Sequence, residues 1–437
     1  MIQSRYYLID TPAPYEPIRV MGNETSPFVT SEEWATYIAE YTNNIYGSED
    51  KIIMRPPALR ILADMLEEKI FGREGLNHLI AWSLYTQLVF HTQPDHFPGR
   101  KDVLRGCYAH VAKVMKLALV SPYLHAIVTP DLFEHGKKLA AKLVETFRAT
   151  LASSKWLNGT AREVALRKID KMKLHIGSPG NRLDPAMVEK FYEPLPDVPV
   201  PPQKGATNLF SSWIKARSLS ARALWLDQAT FLFDEGDVNA FHLTYYNAII
   251  IPAAILTRPF LISTLTDPLN YGALGSTLGH EIMHGFDVSG TKVNDENVPM
   301  RWSTPEFLEE YTKRTLCLRQ AHKSVVKATA RQEVVNDTLD SENLADFIGV
   351  RVAHAALQSL PQPQRSMTLA GLNITAERLF FINYCTQRCS EGSEPDDRYA
   401  PARSRCIVPL MNMPEFSSAF GCAAGEPMNP PDKCTFW

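Results

Sequence analysis

Apolar residues recur at helical spacing through most of the chain, and the elements they predict are mainly helices. Leu274, Leu278 and Ile282, four apart, predict one helix, with Gly285 and Gly290 placed to end it. Leu344, Ile348 and Val352 predict a second, with Ser341 as its N-cap. Upstream, Leu62 to His91, broken near Gly72 to Gly75, and Cys107 to Val120 continue the pattern. Thr30-Ser31-Glu32-Glu33 and Thr160-Ala161-Arg162-Glu163 read as capping boxes. Later, Ser303 or Thr304 caps a helix with Pro305 at its first position, and Thr375 to about Cys389 forms another. Only Val238 to His242 and Ala248 to Ile251 read as strands, two short ones joined by a turn, with Pro252 stopping the second. The proline run beginning at Pro194 cannot continue a helix and reads as an extended connector. The expected organisation is a helical domain over residues 1–193, a linker over 194–204 and a second domain over 205–437.

Composition narrows the partners. At 437 residues the chain exceeds what one core usually supports, so two domains fit. A formal charge of -3 gives no reason to expect nucleic acid or an anionic membrane as partner. The longest apolar run, residues 248–256, is too short to span a bilayer and contains Pro252, and the first residues lack the apolar core of a signal peptide. Seven cysteines, none in a Cys-x-x-Cys pair, argue for disulfides over a thiolate metal site. Asn23, Asn158, Asn336 and Asn373 head Asn-x-Ser/Thr triplets that permit glycosylation in a secretory setting.

The chemistry lies in the first of these helices. His280-Glu281-x-x-His284 puts two imidazoles on one helix face, where they can converge on an ion with Glu281 beside it. The positions at which a metzincin carries its glycine and third histidine hold Asp287 and Gly290, so a distant carboxylate is the remaining common third ligand. Glu342 and Asp346 lie four apart on one face of the second helix. Taken alone they are a solvated face. Taken with the histidines, Glu342 is a candidate ligand and Asp346 a candidate partner for the other nitrogen of a ligand histidine.

His-Glu-x-x-His followed by Glu342-x-x-Ala345-Asp346 resembles the neprilysin and endothelin-converting-enzyme family of zinc endopeptidases. Val238-Asn239-Ala240-Phe241, Ile251-Pro252-Ala253-Ala254-Ile255-Leu256, Met428-Asn429-Pro430 and the terminal Cys434-Thr435-Phe436-Trp437 agree with it. The resemblance implies a two-lobed, mainly α protein, with a thermolysin-like zinc peptidase lobe containing a small β-sheet and a helical lobe covering the active site. It implies one zinc ion per chain on His280, His284 and Glu342, peptide substrates, and an extracellular setting, secreted or as the ectodomain of a membrane-anchored parent. Family members are longer at the N-terminus, so the chain looks like the C-terminal part of such a protein.

Residue roles follow from the same resemblance. Glu281 takes the proton of the attacking water and passes it to the leaving nitrogen, Asp346 supports a ligand histidine, and Asn239 and Ala240 hold the substrate backbone along an edge strand. Arg405 binds a substrate carbonyl. Cys317 pairs with Cys434, while Cys107, Cys389 and Cys422 match cysteines whose partners lie upstream. Cys385 and Cys406 have no placed counterpart, and a replacement bridge between them is the alternative.

Two positions depart from the pattern. Tyr399 stands where the family has the histidine that assists the oxyanion, which predicts reduced turnover. Arg388 stands where the family has a tryptophan lining the pocket for the side chain after the cleaved bond, which predicts a shift from apolar toward acidic side chains. The alternative function is a catalytically weak or inactive homologue that binds zinc and peptides.

Overall fold

The computed structural model describes residues 15–67, 71–92, 100–195, 209–227, 230–298, 300, 302–326, 338–389 and 398–437. It forms two compact units interleaved along the chain, one from Met1–His125 and Gly180–Leu232, the other from Ala126–Pro179 and Phe233–Trp437. This differs from a division at the proline run. Residues 126–179 belong to the second unit because Leu139, Leu143 and Phe147 share a core with Ile249, Ile251 and Leu278. Residues 196–204 of the expected linker, and Asn336, lie outside the described residues.

In the first unit, Tyr15–Pro17 pairs antiparallel with Lys51–Ile53. Helix Ser31–Tyr41 opens with the expected capping box: Thr30 Oγ1 accepts from the Glu33 N–H at 3.2 Å, and Glu33 Oε2 accepts from the Thr30 N–H at 2.8 Å. The break in the next helical stretch precedes Gly72, between Pro56–Leu66 and Gly72–Thr92. The helical stretch from Cys107 to Val120 falls in two helices, Arg100–Val114 and Lys116–Ile127. Ile18, Met21, Ile38 and Met54 form one small core of this unit, and Val114, Trp213 and Ala216 another.

The second unit runs α1 (Pro130–Ser153), α2 (Gly159–Asp170), β1 (Lys173–Gly177), β2 (Phe241–Leu243), β3 (Ala248–Pro252), α3 (Ser276–His284), α4 (Pro305–Val326), α5 (Leu339–Gln358), α6 (Ala376–Thr386) and α7 (Ala402–Met411). Its sheet has β3 at the centre, fully buried, parallel to β1 and antiparallel to β2. β2 is therefore an edge, as expected, although it starts at Phe241 rather than Val238. β1 was not expected from the sequence.

Helix ends correct three readings. Asn158 occupies the N-cap of α2, so Thr160 lies inside the first turn and cannot form the expected box. α5 starts at Leu339 after Thr338, which leaves Ser341 buried within the first turn. α6 is capped by Thr375, whose side chain accepts from the Arg378 N–H, and ends at Thr386, short of Cys389. Of the two candidates for α4, Thr304 caps it, accepting from the Phe307 N–H at 3.2 Å.

Disulfides join Cys317 to Cys434 and Cys385 to Cys406; Cys107, Cys389 and Cys422 take part in none. No helix among the described residues is long and apolar enough to cross a membrane.

Candidate metal centre and active site

α3 continues an upstream helix, Asp267–Asn270, through a π-helical turn, Tyr271–Gly275. Leu274, Leu278 and Ile282 are all buried in the core, which turns the opposite edge, with His280 and His284, toward α5. The two helices meet backbone to backbone. A Cβ added at Gly279 would sit 2.5 Å from the Gly349 carbonyl oxygen, and one added at Gly349 would sit 2.6 Å from the His280 nitrogen. Only glycine at both positions permits this approach, and it is the approach that brings Glu342 and Asp346 to the histidines.

The donors converge. His280 Nε2 lies 3.0 Å from His284 Nε2 and 3.1 Å from Glu342 Oε2, which is 3.7 Å from His284 Nε2. On the far side of each ring, His280 Nδ1 meets Asp346 Oδ1 at 3.0 Å, and His284 Nδ1 meets Asp287 Oδ2 at 2.7 Å. With Nδ1–H donated to a carboxylate in each case, both neutral imidazoles turn a lone pair inward. Glu342 Oε2, buried and without a hydrogen-bond donor among the described residues, turns a third. Three inward acceptors require a cation or extra protons. Two nitrogens and one carboxylate oxygen suit zinc, whose ligands sit about 2.0–2.2 Å from the metal and thus roughly 3.3 Å from one another in a tetrahedron. Among the described residues, His280, His284 and Glu342 form the one such cluster.

The titration shifts reflect the second way of meeting that requirement, an extra proton on the donor set. For His284, burial lowers the pKa, but the Asp287 hydrogen bond and the nearby charges of Asp287, Glu281 and Glu342 outweigh it and push the value up to about 10. For Glu342, burial acts upward and is outweighed by His280 and His284, so the carboxylate stays ionised. Glu281 is different: burial holds its carboxyl above the ordinary value, against the pull of both histidines and of a hydrogen bond from the His242 N–H on the edge strand. A carboxylate raised toward neutrality beside the donor cluster is suited to take up a proton.

Asp346, 1% exposed, is held from two sides. Arg405 Nε donates to Oδ2 at 2.6 Å and its Nη2 to Oδ1 at 2.9 Å, while Arg388 Nη2 donates to Oδ1 at 3.0 Å. Burial alone would raise the Asp346 pKa, but the two guanidinium charges hold it well below the usual carboxylate range. Arg388 also lies over the Tyr384 ring at 4.2 Å. Its guanidinium thus sits between Asp346 and the Tyr384 ring. Arg405 lies over the Tyr399 ring at 4.3 Å, and burial, then Glu342, pushes the Tyr399 phenol up to about 12. Tyr399 therefore keeps its proton at neutral pH. Asn239, exposed, accepts from the Ala240 N–H through its own Oδ1 at 3.0 Å, and both residues precede the edge strand.

Sequence reasoning missed Asp287, used above only to exclude a third histidine. Its signal was its spacing: three residues after His284, just past the helix end, it can reach back to that ring. It missed the Gly279–Gly349 crossing as well, since neither glycine shows its partner in the sequence.

Fold and donor set place the chain in the class of His-Glu-x-x-His metallopeptidases. Residues 239–436 match a sequence model of peptidase family M13, and residues 14–179 match the N-terminal model of the same family; the chain belongs to peptidase family M13. It is 28% identical to Neprilysin-1 of Trittame loki over 92% of this chain and 57% of that protein. To mouse Endothelin-converting enzyme 1 it is 29% identical over 76% of this chain and 44% of that one. Its fold is similar to that of the Mycobacterium tuberculosis zinc metalloprotease Zmp1 in its open state, with a TM-score of 0.70 at 20% identity over 100% of this chain and 69% of that structure. The chain spans about half the length of the curated relatives it matches.

Proposed function

We propose that the chain is a zinc-dependent endopeptidase that hydrolyses short peptides in an extracellular setting. The observation that carries this reading is the convergence of His280 Nε2, His284 Nε2 and Glu342 Oε2 beside the buried Glu281. His280, His284 and Glu342 would hold the zinc, which would supply Lewis acidity to acidify the attacking water and polarise the scissile carbonyl. Asp346 and Asp287 fix the tautomers that aim both ligand nitrogens inward. Glu281 takes the proton of the attacking water and returns it to the leaving nitrogen. Tyr399, protonated, donates to the developing oxyanion; a neutral donor there supports slower turnover than the family histidine. Asn239, Ala240 and the edge strand β2 grip the peptide backbone.

Arg388 and Arg405 share the single carboxylate of Asp346, and among the described residues the buried Nε–H of Arg388 has no acceptor. One positive charge is left over beside the metal ligands, which favours substrates with an acidic side chain after the cleaved bond. The two disulfides fit an oxidising compartment.

The alternative, a homologue that binds zinc and peptides without cutting them, rests on Tyr399. A panel of quenched fluorescent peptides differing at that one position, incubated with zinc-loaded and zinc-stripped protein, separates the two. Zinc-dependent cleavage favouring acidic residues is expected. Zinc-loaded, folded protein that binds the peptides and cuts none would replace the enzyme reading with the binding one.

A further inference from the structure

Cys385 and Cys406 join the two helices that deliver the arginine pair. Cys385 lies three residues before Arg388 at the end of α6, and Cys406 directly follows Arg405 in α7, with the two Cα atoms 5.0 Å apart. A noncovalent tie accompanies the bridge: the Tyr384 hydroxyl donates to the Arg405 carbonyl at 2.8 Å. The bridge thus closes a circuit from α6 through Arg388, Asp346 and Arg405 to α7, and Asp346 passes it on to His280.

Two guanidiniums on one carboxylate repel each other, so their joint seat needs a constraint on the backbone that carries them. Arg405, with two bonds to Asp346, is held by the carboxylate itself. Arg388 has a single bond to it; its Nη1 donates to the Tyr384 carbonyl of α6 at 3.3 Å, and its Nε–H has no acceptor among the described residues, so its seat follows the end of α6 that the constraint fixes. Both bridge cysteines are half-buried and pack against the core of the second unit, so opening the bridge acts on the seating of both helix segments.

We propose that the Cys385–Cys406 disulfide is a positioning element of the active site, holding Arg388 beside Arg405 on Asp346, and that its reduction lowers turnover and alters substrate preference while the metal ligands stay in place. The proposal rests on the peptidase reading above. A dithiol opens the bridge by thiolate attack on one sulfur. The S–S bond breaks and its electron pair leaves on the other cysteine. The second thiolate of the reagent then displaces the first cysteine. The reagent ends as a disulfide, and Cys385 and Cys406 take up two protons and end as thiols.

The test uses the full chain loaded with zinc and reduced with a phosphine, which avoids the zinc ligation of a dithiol; the phosphine is oxidised to its oxide with oxygen from water. Alkylation and mass analysis identify which bridge has opened. A Cys385→Ser/Cys406→Ser variant provides the same state without reagent, and a Cys317→Ser/Cys434→Ser variant controls for loss of a bridge elsewhere. Expected on opening Cys385–Cys406 are zinc content still at one per chain, kcat/KM down at least tenfold, a shift in the ratio of acidic to apolar substrates, and faster amide exchange across residues 402–411. The control variant keeps the substrate ratio of the wild type. An open Cys385–Cys406 bridge with kcat/KM and substrate ratio unchanged would overturn the proposal. If oxidised wild type shows no zinc-dependent cleavage, the peptidase reading fails instead, and unchanged amide exchange at 402–411 on reduction would then refute the positioning role by itself.

Discussion

The helix crossing at Gly279 and Gly349 gives the sharpest prediction. In Gly349→Ala the new Cβ would lie 2.6 Å from the His280 nitrogen, 2.8 Å from the Ser276 carbonyl oxygen and 3.0 Å from the His280 Cα. Ordinary contact starts near 3.5 Å, so α3 and α5 must separate by roughly 0.9 Å. Nothing flexible can yield, because each clashing atom is backbone. The His280–Asp346 and His280–Glu342 contacts, now 3.0 and 3.1 Å, share that gap. Stretched to about 4 Å the first is no longer a hydrogen bond, and the second exceeds the tolerance of about 0.2 Å for a metal ligand. The expected outcome is a loss of about 1–3 kcal/mol of stability from overpacking and a fall of roughly 10- to 100-fold in zinc affinity. Competition with a chromophoric chelator measures the affinity, and thermal unfolding with and without zinc measures the stability. Gly47→Ala, where an added Cβ meets nothing within 4 Å, is the control. A Gly349→Ala protein that holds zinc as tightly as wild type would refute the view that this crossing builds the site.

Tyr399→Phe, which removes the proposed oxyanion donor, should lower kcat by about a hundredfold with KM little changed, and Tyr399→His should raise kcat above wild type; steady-state kinetics on one good substrate decide both. Zinc at a thousandfold above its Kd should stabilise the folded chain by about 4 kcal/mol, read from denaturant unfolding before and after chelation. His322 tests the electrostatics. Burial holds its pKa down to about 4, while its Nδ1 meets the Ser404 hydroxyl beside Arg405 at 2.8 Å. Below pH 6.5 the unfolded chain takes up a proton that the folded chain refuses. The His322 contribution is therefore fully present above pH 6.5 and is lost as pH falls toward 4, a span of roughly 3 kcal/mol. His322→Gln should lose correspondingly less stability over that interval; parallel acid profiles would rule the account out.

What the sequence made legible was local. The spacing of Leu274, Leu278 and Ile282 located the buried face of α3, and so the face that carries His280 and His284. The four-residue step from Glu342 to Asp346 put both on one side of α5. What it hid depended on distant partners. β1 is five residues whose register is set by β3, about 75 positions later, so its alternation alone carried little signal. Residues 126–179 join the second unit through packing partners that follow the proline run. Ser341 looked like a cap because its side chain suits one, but α5 starts two residues earlier and buries it. The bond from Arg388 to Asp346 joins positions 42 apart and leaves no local trace in the sequence.

The measurement that tests the central claim most directly is peptide hydrolysis by wild type beside Glu281→Gln, with zinc determined on both. The account predicts one zinc per chain in each protein and a rate in the variant lower by about a hundredfold or more, because the ligands are intact and only the proton acceptor is gone. Equal rates from the two proteins, or a zinc content that falls together with activity in the variant, would contradict it.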